Sequence, residues 1–178
     1  MVNAKYISEK VAKIVRKHDT RNPFIICKEM NIRIRYKDLG NSIKAFYFCQ
    51  SRIKNIVINN RLNEAAQRIL CAHELGHAIL HGELATMRGF QEFELFDAII
   101  PTEYEANLFA AELLIDDRIL LELLNDSGKS FFSVATELYV PAELLDFKFR
   151  VLKNKGYRIE SPIFSKANFL KNGFNNAN

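Results

Sequence analysis

Residues 62–81 read LNEAAQRILCAHELGHAILH, and the fold turns on how this stretch winds. At 100° per residue, Leu62, Ala66, Ile69, His73, Gly76, His77 and Leu80 fall on one face, while Glu64, Gln67 and Arg68 fall elsewhere. The spacing predicts a helix from Leu62 to about His81 that carries two histidines inside its apolar stripe. Gly76 keeps that face slim. Buried imidazoles need partners, and the sequence around them says which.

His73 and His77 are four residues apart, so on a helix both rings lie one turn apart and can reach one metal ion. Glu74 sits about 100° further round, beside such an ion, where it can take a proton from a bound water. His73-Glu74-Leu75-Gly76-His77 is therefore a zinc-site pattern, with His73 and His77 as metal ligands and Glu74 as general base. His81 continues the series, but about 12 Å of helix rise separates it from His73, too far for one ion. No H-x-x-G-x-x-H extension follows His77. A third ligand must come from another element.

The candidate is Glu105, in a helix expected from Thr102 to about Ile115. Wound as a helix, Glu105, Leu108, Phe109 and Glu112 share a face and Glu103 points away. Thr102-x-x-Glu105 also reads as a capping box, the alternative role for Glu105. Glu112 is either a partner for a ligand imidazole or a salt-bridge residue.

Upstream lie a helix over Ser8–Lys17, a second starting at Pro23 with Asn22 as cap, and a strand at Ile32–Tyr36. Ile43–Cys49 and Asn55–Asn59 read as a hairpin across Ser51-Arg52. Downstream, helices are expected at Arg118–Asn125, Ser130–Tyr139 and Pro141–Asn154. Strands come early and helices late. This is an α+β pattern: a small antiparallel sheet of about three strands packed on a mainly helical, zincin-like domain. Residues 1–160 are expected to form one domain. Its 134–154 helical pair loosely resembles a helix-turn-helix, although a packed αα-hairpin is the commoner meaning of such a pair. The connection from Glu83 to Ile100, with Met87, Phe90, Phe93 and Phe96, shows no clear period. The Asn-rich tail at 161–178 is expected to be poorly ordered.

Composition narrows the function classes. The chain has 178 residues, 25 Lys+Arg against 21 Asp+Glu, and a net charge of +4. The surplus is spread along the chain, so direct nucleic-acid binding is not expected. Cys27, Cys49 and Cys71 form no metal-like pair, and their odd number argues against a disulfide framework and for a cytoplasmic location. There is no signal-peptide core and no apolar stretch long enough to span a membrane.

Several stretches, taken in order, resemble the ImmA/IrrE metallo-endopeptidases. They are Asn22–Cys27, Ile56–Asn59, Cys71–His81 and Glu103–Leu114, and the likeness covers roughly 22–156. Two positions depart from the family pattern: Ala45 stands where a Gly is common, and Ile115-Asp116-Asp117 replaces a frequent Met-Pro stop. The resemblance implies zinc (Zn2+) on His73, His77 and Glu105, with Glu74 as base. It also implies a phage or mobile-element protein that cleaves a helix-turn-helix repressor encoded nearby. Tyr104, Tyr47 and His81 are candidates for stabilising the oxyanion. The competing reading is a regulatory zinc-containing binding module, or a toxin–antitoxin partner, that acts without proteolysis.

Overall fold

The computed structural model describes residues 3–82, 100–164 and Leu170. Among these, helices α1 (Ala4–His18) and α2 (Pro23–Glu29) precede strands β1 (Arg33–Lys37), β2 (Ala45–Gln50) and β3 (Ile53–Asn59). Helices α3 (Glu64–Leu80), α4 (Ile100–Leu114), α5 (Asp117–Leu124), α6 (Phe131–Glu137) and α7 (Ala142–Asn154) follow. The expected irregular connection with Met87, Phe90, Phe93 and Phe96, and most of the Asn-rich tail, lie outside the described residues.

Helix ends follow local chemistry. Asn3, Asn22, Asn63, Asp116 and Ser130 each cap a helix by accepting from a backbone N–H one to three residues inside it. Asp116 belongs to the stretch that departs from the family pattern. Here it accepts from the Arg118 and Ile119 amides and pairs with Arg21 at 3.0 Å. Burial pushes its carboxyl up, but Arg21 and the two amides outweigh this and hold it below the usual range.

The three strands are ordered β1-β3-β2. β2 and β3 form the expected antiparallel hairpin, closed by Ser51 and Arg52 with φ of 51° and 64°. Two successive left-handed residues match the twist of the flanking strands. The all-antiparallel expectation fails at β1, which runs parallel to β3. Residues 38–44 carry the chain across the end of β3 before β2 begins. Asn59 holds this crossing: its Nδ2 donates to the carbonyls of Gly40 at 2.7 Å and Ile43 at 2.9 Å. Alternation marks a strand but not its direction.

The elements stack in layers. α3 lies between the sheet and α4, and α4 in turn packs against α1 and α7. Ile56 and Ile58 of β3, Leu75 of α3, and Leu108, Phe109 and Leu113 of α4 are fully or almost fully buried in one core. The 134–154 pair is part of this core. Leu144, Leu145, Phe147, Lys148, Phe149, Val151 and Leu152 of α7 are all buried, so this helix packs into the body of the protein along most of its surface.

Lys148 has no exposed surface, and it ties the C-terminal layer together. Its Nζ lies 2.5 Å from both Glu112 Oε2 and Asp117 Oδ1. Lys155 bridges the same two carboxylates at 2.6 Å, and Ser8 Oγ donates to Glu112 at 3.2 Å. Burial raises the Asp117 carboxyl, but Lys148 and Lys155 more than offset this and leave it lowered. Removing one partner of a buried ion pair costs about 3–5 kcal/mol. Because Lys155 still reaches both carboxylates, Lys148→Met is expected to cost about 3 kcal/mol at pH 7. A carboxyl with a lowered folded pKa contributes fully above its unfolded value of about 3.9 and loses that contribution as pH falls further. The gap between variant and wild type in urea unfolding should therefore be full at pH 7 and narrower at pH 3.

Candidate metal centre

The catalytic-type motif lies on α3, whose first turn is capped by Asn63 and whose last turn is held by Lys54. Lys54 Nζ donates to the Ala78 carbonyl at 2.9 Å. His73 and Glu74 are buried, and His77 is half-buried. His73 Nε2 and His77 Nε2 converge to 3.1 Å. Glu103 of α4 completes a triangle, with Oε2 3.4 Å from His73 Nε2 and Oε1 3.5 Å from His77 Nε2. Ligand atoms about 2.05 Å from one ion at tetrahedral angles lie about 3.3 Å apart. The three edges match that spacing, so a small ion with two nitrogen donors and one oxygen donor fits the residues present.

The electrostatics point the same way. Burial disfavours a charged His73, but Glu103, then Glu74 and Asn107, outweigh it and raise the imidazole pKa. Carboxylates thus make this pocket attractive to positive charge. Asn107 lies one turn beyond Glu103 and is completely buried.

Glu105 is not at the triangle. Its Oε2 lies 2.8 Å from His81 Nε2, so the expectation that it faces His73 and His77 is corrected in favour of Glu103. The physical reason is that α4 has no single buried face. Glu105, Ala106, Asn107, Leu108, Phe109, Ala110, Ala111, Glu112 and Leu113 are all buried, because α3, α1 and α7 surround the helix. Periodicity cannot orient a helix that is enclosed all round. Thr102 is not the first residue of this helix, which is already under way at Ile100. A usable signal was Ala106, small enough to lie against Gly76 and one turn from Glu103.

The remaining candidates separate. Glu112 belongs to the Lys148–Lys155 knot and not to an imidazole. The Tyr104 ring packs on Phe147 at 5.5 Å and under the Arg150 guanidinium. The Tyr47 hydroxyl is buried without a hydrogen-bond partner among the described residues, and burial, then Cys49, pushes its pKa up to about 12. It stays protonated and able to donate. Cys27 and Cys71 are buried thiols with sulfurs 4.0 Å apart, and Cys49 is half-buried.

Comparison with known proteins identifies the family. Residues 27–150 match the family described as the IrrE N-terminal-like domain, peptidase M78. The chain belongs to this family. It is 31% identical over 160 residues to metallopeptidase ImmA of Bacillus subtilis (strain 168), covering 89% of this chain and 92% of that protein. It is 35% identical over 142 residues to uncharacterized immunity region protein 2 of Bacillus phage phi105, covering 80% of this chain and 88% of that protein. The protein is a metallopeptidase, which implies a bound metal and a protein substrate. No helix among the described residues is long and apolar enough to cross a membrane.

Gly76 sets the distance between the two helices of the site. A Cβ added there would lie 3.2 Å from the Ala106 Cα and from Phe109 Cβ and Cδ1. A backbone atom cannot rotate aside, so α4 would have to move and take Glu103 with it. Gly76→Ala gains about 1 kcal/mol of helix propensity against about 1–3 kcal/mol of overpacking. Thermal melting is therefore expected to shift little, while metal affinity, read by chelator competition, falls at least about tenfold, the equivalent of about 1.4 kcal/mol.

Proposed function

We propose that this metallopeptidase is a zinc endopeptidase that cleaves a regulatory protein, most specifically a helix-turn-helix repressor encoded beside it. The observation that carries the zinc reading is the His73–His77–Glu103 triangle, two nitrogen donors and one oxygen donor close enough to hold one small ion. The substrate reading is supported by two things: the resemblance of the motif stretches, and a relative whose name places it in a phage immunity region.

In this reading His73, His77 and Glu103 hold the ion. When bound, zinc supplies Lewis acidity toward the scissile carbonyl and brings the pKa of its water toward about 7. Glu74, next to His73 but turned about 100° from it, is the general base: it takes the proton from the attacking water and delivers it to the leaving amine. Its burial keeps bulk water from competing for that proton. Tyr47 is the candidate donor to the developing oxyanion, because its protonated hydroxyl has no partner among the described residues. β2, which lies at the edge of the sheet among the described residues and packs beside α3, is where an extended peptide can add.

Two variants test this reading. Purified wild type is expected to hold one equivalent of zinc, and Glu103→Ala to lose most of it by metal analysis. Retention of the full equivalent would show that Glu103 is not a ligand. Glu74→Gln should keep zinc and fold but lose cleavage by at least about 10²-fold. The assay is co-expression with the neighbouring repressor, followed by detection of its fragments. If wild type yields no fragments yet still relieves repression, the protein acts by binding.

A further inference from the structure

The proposed ligand His77 is the first of a row of polar groups leading away from the metal triangle. Its Nδ1 lies 3.3 Å from His81 Nδ1, and His81 Nε2 lies 2.8 Å from Glu105 Oε2. The His81 and Glu105 side chains are about nine-tenths or more buried, at 10% and 4% exposure. Neither belongs to the triangle, and neither has another role in the proposed reaction. We infer that His81 and Glu105 are positioning residues that fix the tautomer and ring orientation of His77 for metal binding. This rests on the proposed ligand set.

Each hydrogen placement forces the next. A ligating Nε2 of His77 must present a bare lone pair, so the proton of the neutral ring is on Nδ1. That N–H faces His81 Nδ1, which can accept only if it carries no proton. The His81 proton is then on Nε2, where it donates to Glu105 Oε2. An ionised carboxylate can only accept, so Glu105 ends the row and fixes its direction. Without Glu105, His81 is free to carry its proton on Nδ1. Two N–H groups would then face each other, and the His77 ring would have to turn away from the ion.

The geometry also explains a buried acid on a helix packed on three sides. α4 delivers two carboxylates, Glu103 and Glu105, about 200° apart around its axis. One reaches the ligand nitrogens, and the other reaches the imidazole behind them. Partners of ligand imidazoles typically contribute 10–100-fold in metal affinity.

The test measures zinc affinity of the full chain by chelator competition, with the ligand-field spectrum of the cobalt(II)-substituted protein as a second readout. His81→Leu breaks the row. His81→Gln keeps it, because one amide can accept from His77 and donate to Glu105. Glu105→Gln retains volume and an acceptor but removes the charge. His81→Leu is expected to bind one zinc about 10–100-fold more weakly with altered cobalt bands. His81→Gln should recover most of that loss, and Glu105→Gln should fall between it and wild type. Wild-type affinity and spectrum in folded His81→Leu would overturn the inference. If that variant does not fold, wild-type affinity and spectrum in folded Glu105→Gln overturn it instead. Complete loss of zinc in Glu105→Gln at saturating metal would make Glu105 a ligand and also overturn it. Failure of the ligand set is recognised separately, by Glu103→Ala retaining wild-type affinity.

Discussion

The centre depends on how closely α3 and α4 approach at Gly76. With no side chain there, the Ala106 backbone and the Phe109 ring come so close to the catalytic-motif helix that an added Cβ would lie 3.2 Å from them and force them to give. That contact brings the start of α4 alongside His73, His77 and His81. A helix displaced outward by even one methyl radius would leave Glu103 short of the two Nε2 atoms and Glu105 short of His81. The packing of two apolar helices is thus also the alignment of a polar site. Protein interiors pack densely enough that such a displacement is not absorbed locally.

α4 carries two buried acids, Glu105 and Glu112, and the half-buried Glu103, and each has a different partner. Glu103 lies at the two imidazoles of the HExxH motif, Glu105 at His81, and Glu112 at Lys148 and Lys155. An unpaired carboxylate in this core would be costly. The arrangement divides the charge between two ends of one helix. One end gathers carboxylates and imidazoles around a position suited to a cation. The other neutralises its carboxylates with ammonium groups and fastens α1, α4, α5 and α7 to one another. Both clusters are carried by the same helix.

The sheet contributes in a different way. Because β3 is central, its Ile56 and Ile58 side chains can be buried under α3 while β2, among the described residues, lies at an edge. The crossing at residues 38–44, pinned by Asn59, is what makes this order possible. β2 then lies beside the motif helix, and the Tyr47 hydroxyl, Lys54 and the end of α3 share one neighbourhood. An extended substrate added to that edge would run along the proposed catalytic helix.

Much of this was written in short-range pattern. Asn22-Pro23 announces a helix start through capping chemistry that needs no tertiary information, whereas the motif helix expected from Leu62 begins at Glu64 behind its Asn63 cap. His73, Glu74 and His77 are legible because a helix turn places i and i+4 together wherever the helix goes. The hairpin is legible from two alternating runs and a two-residue polar turn. The direction of β1 was not, because alternation is the same in either sense and only the crossing at Asn59 distinguishes them. The acid nearest the two imidazoles was not legible either. Glu103 and Glu105 are two residues apart on a helix buried on every side, so no apolar stripe says which faces α3. The packing of Ala106 on Gly76 makes that choice, and it is a contact between residues 30 positions apart in the chain.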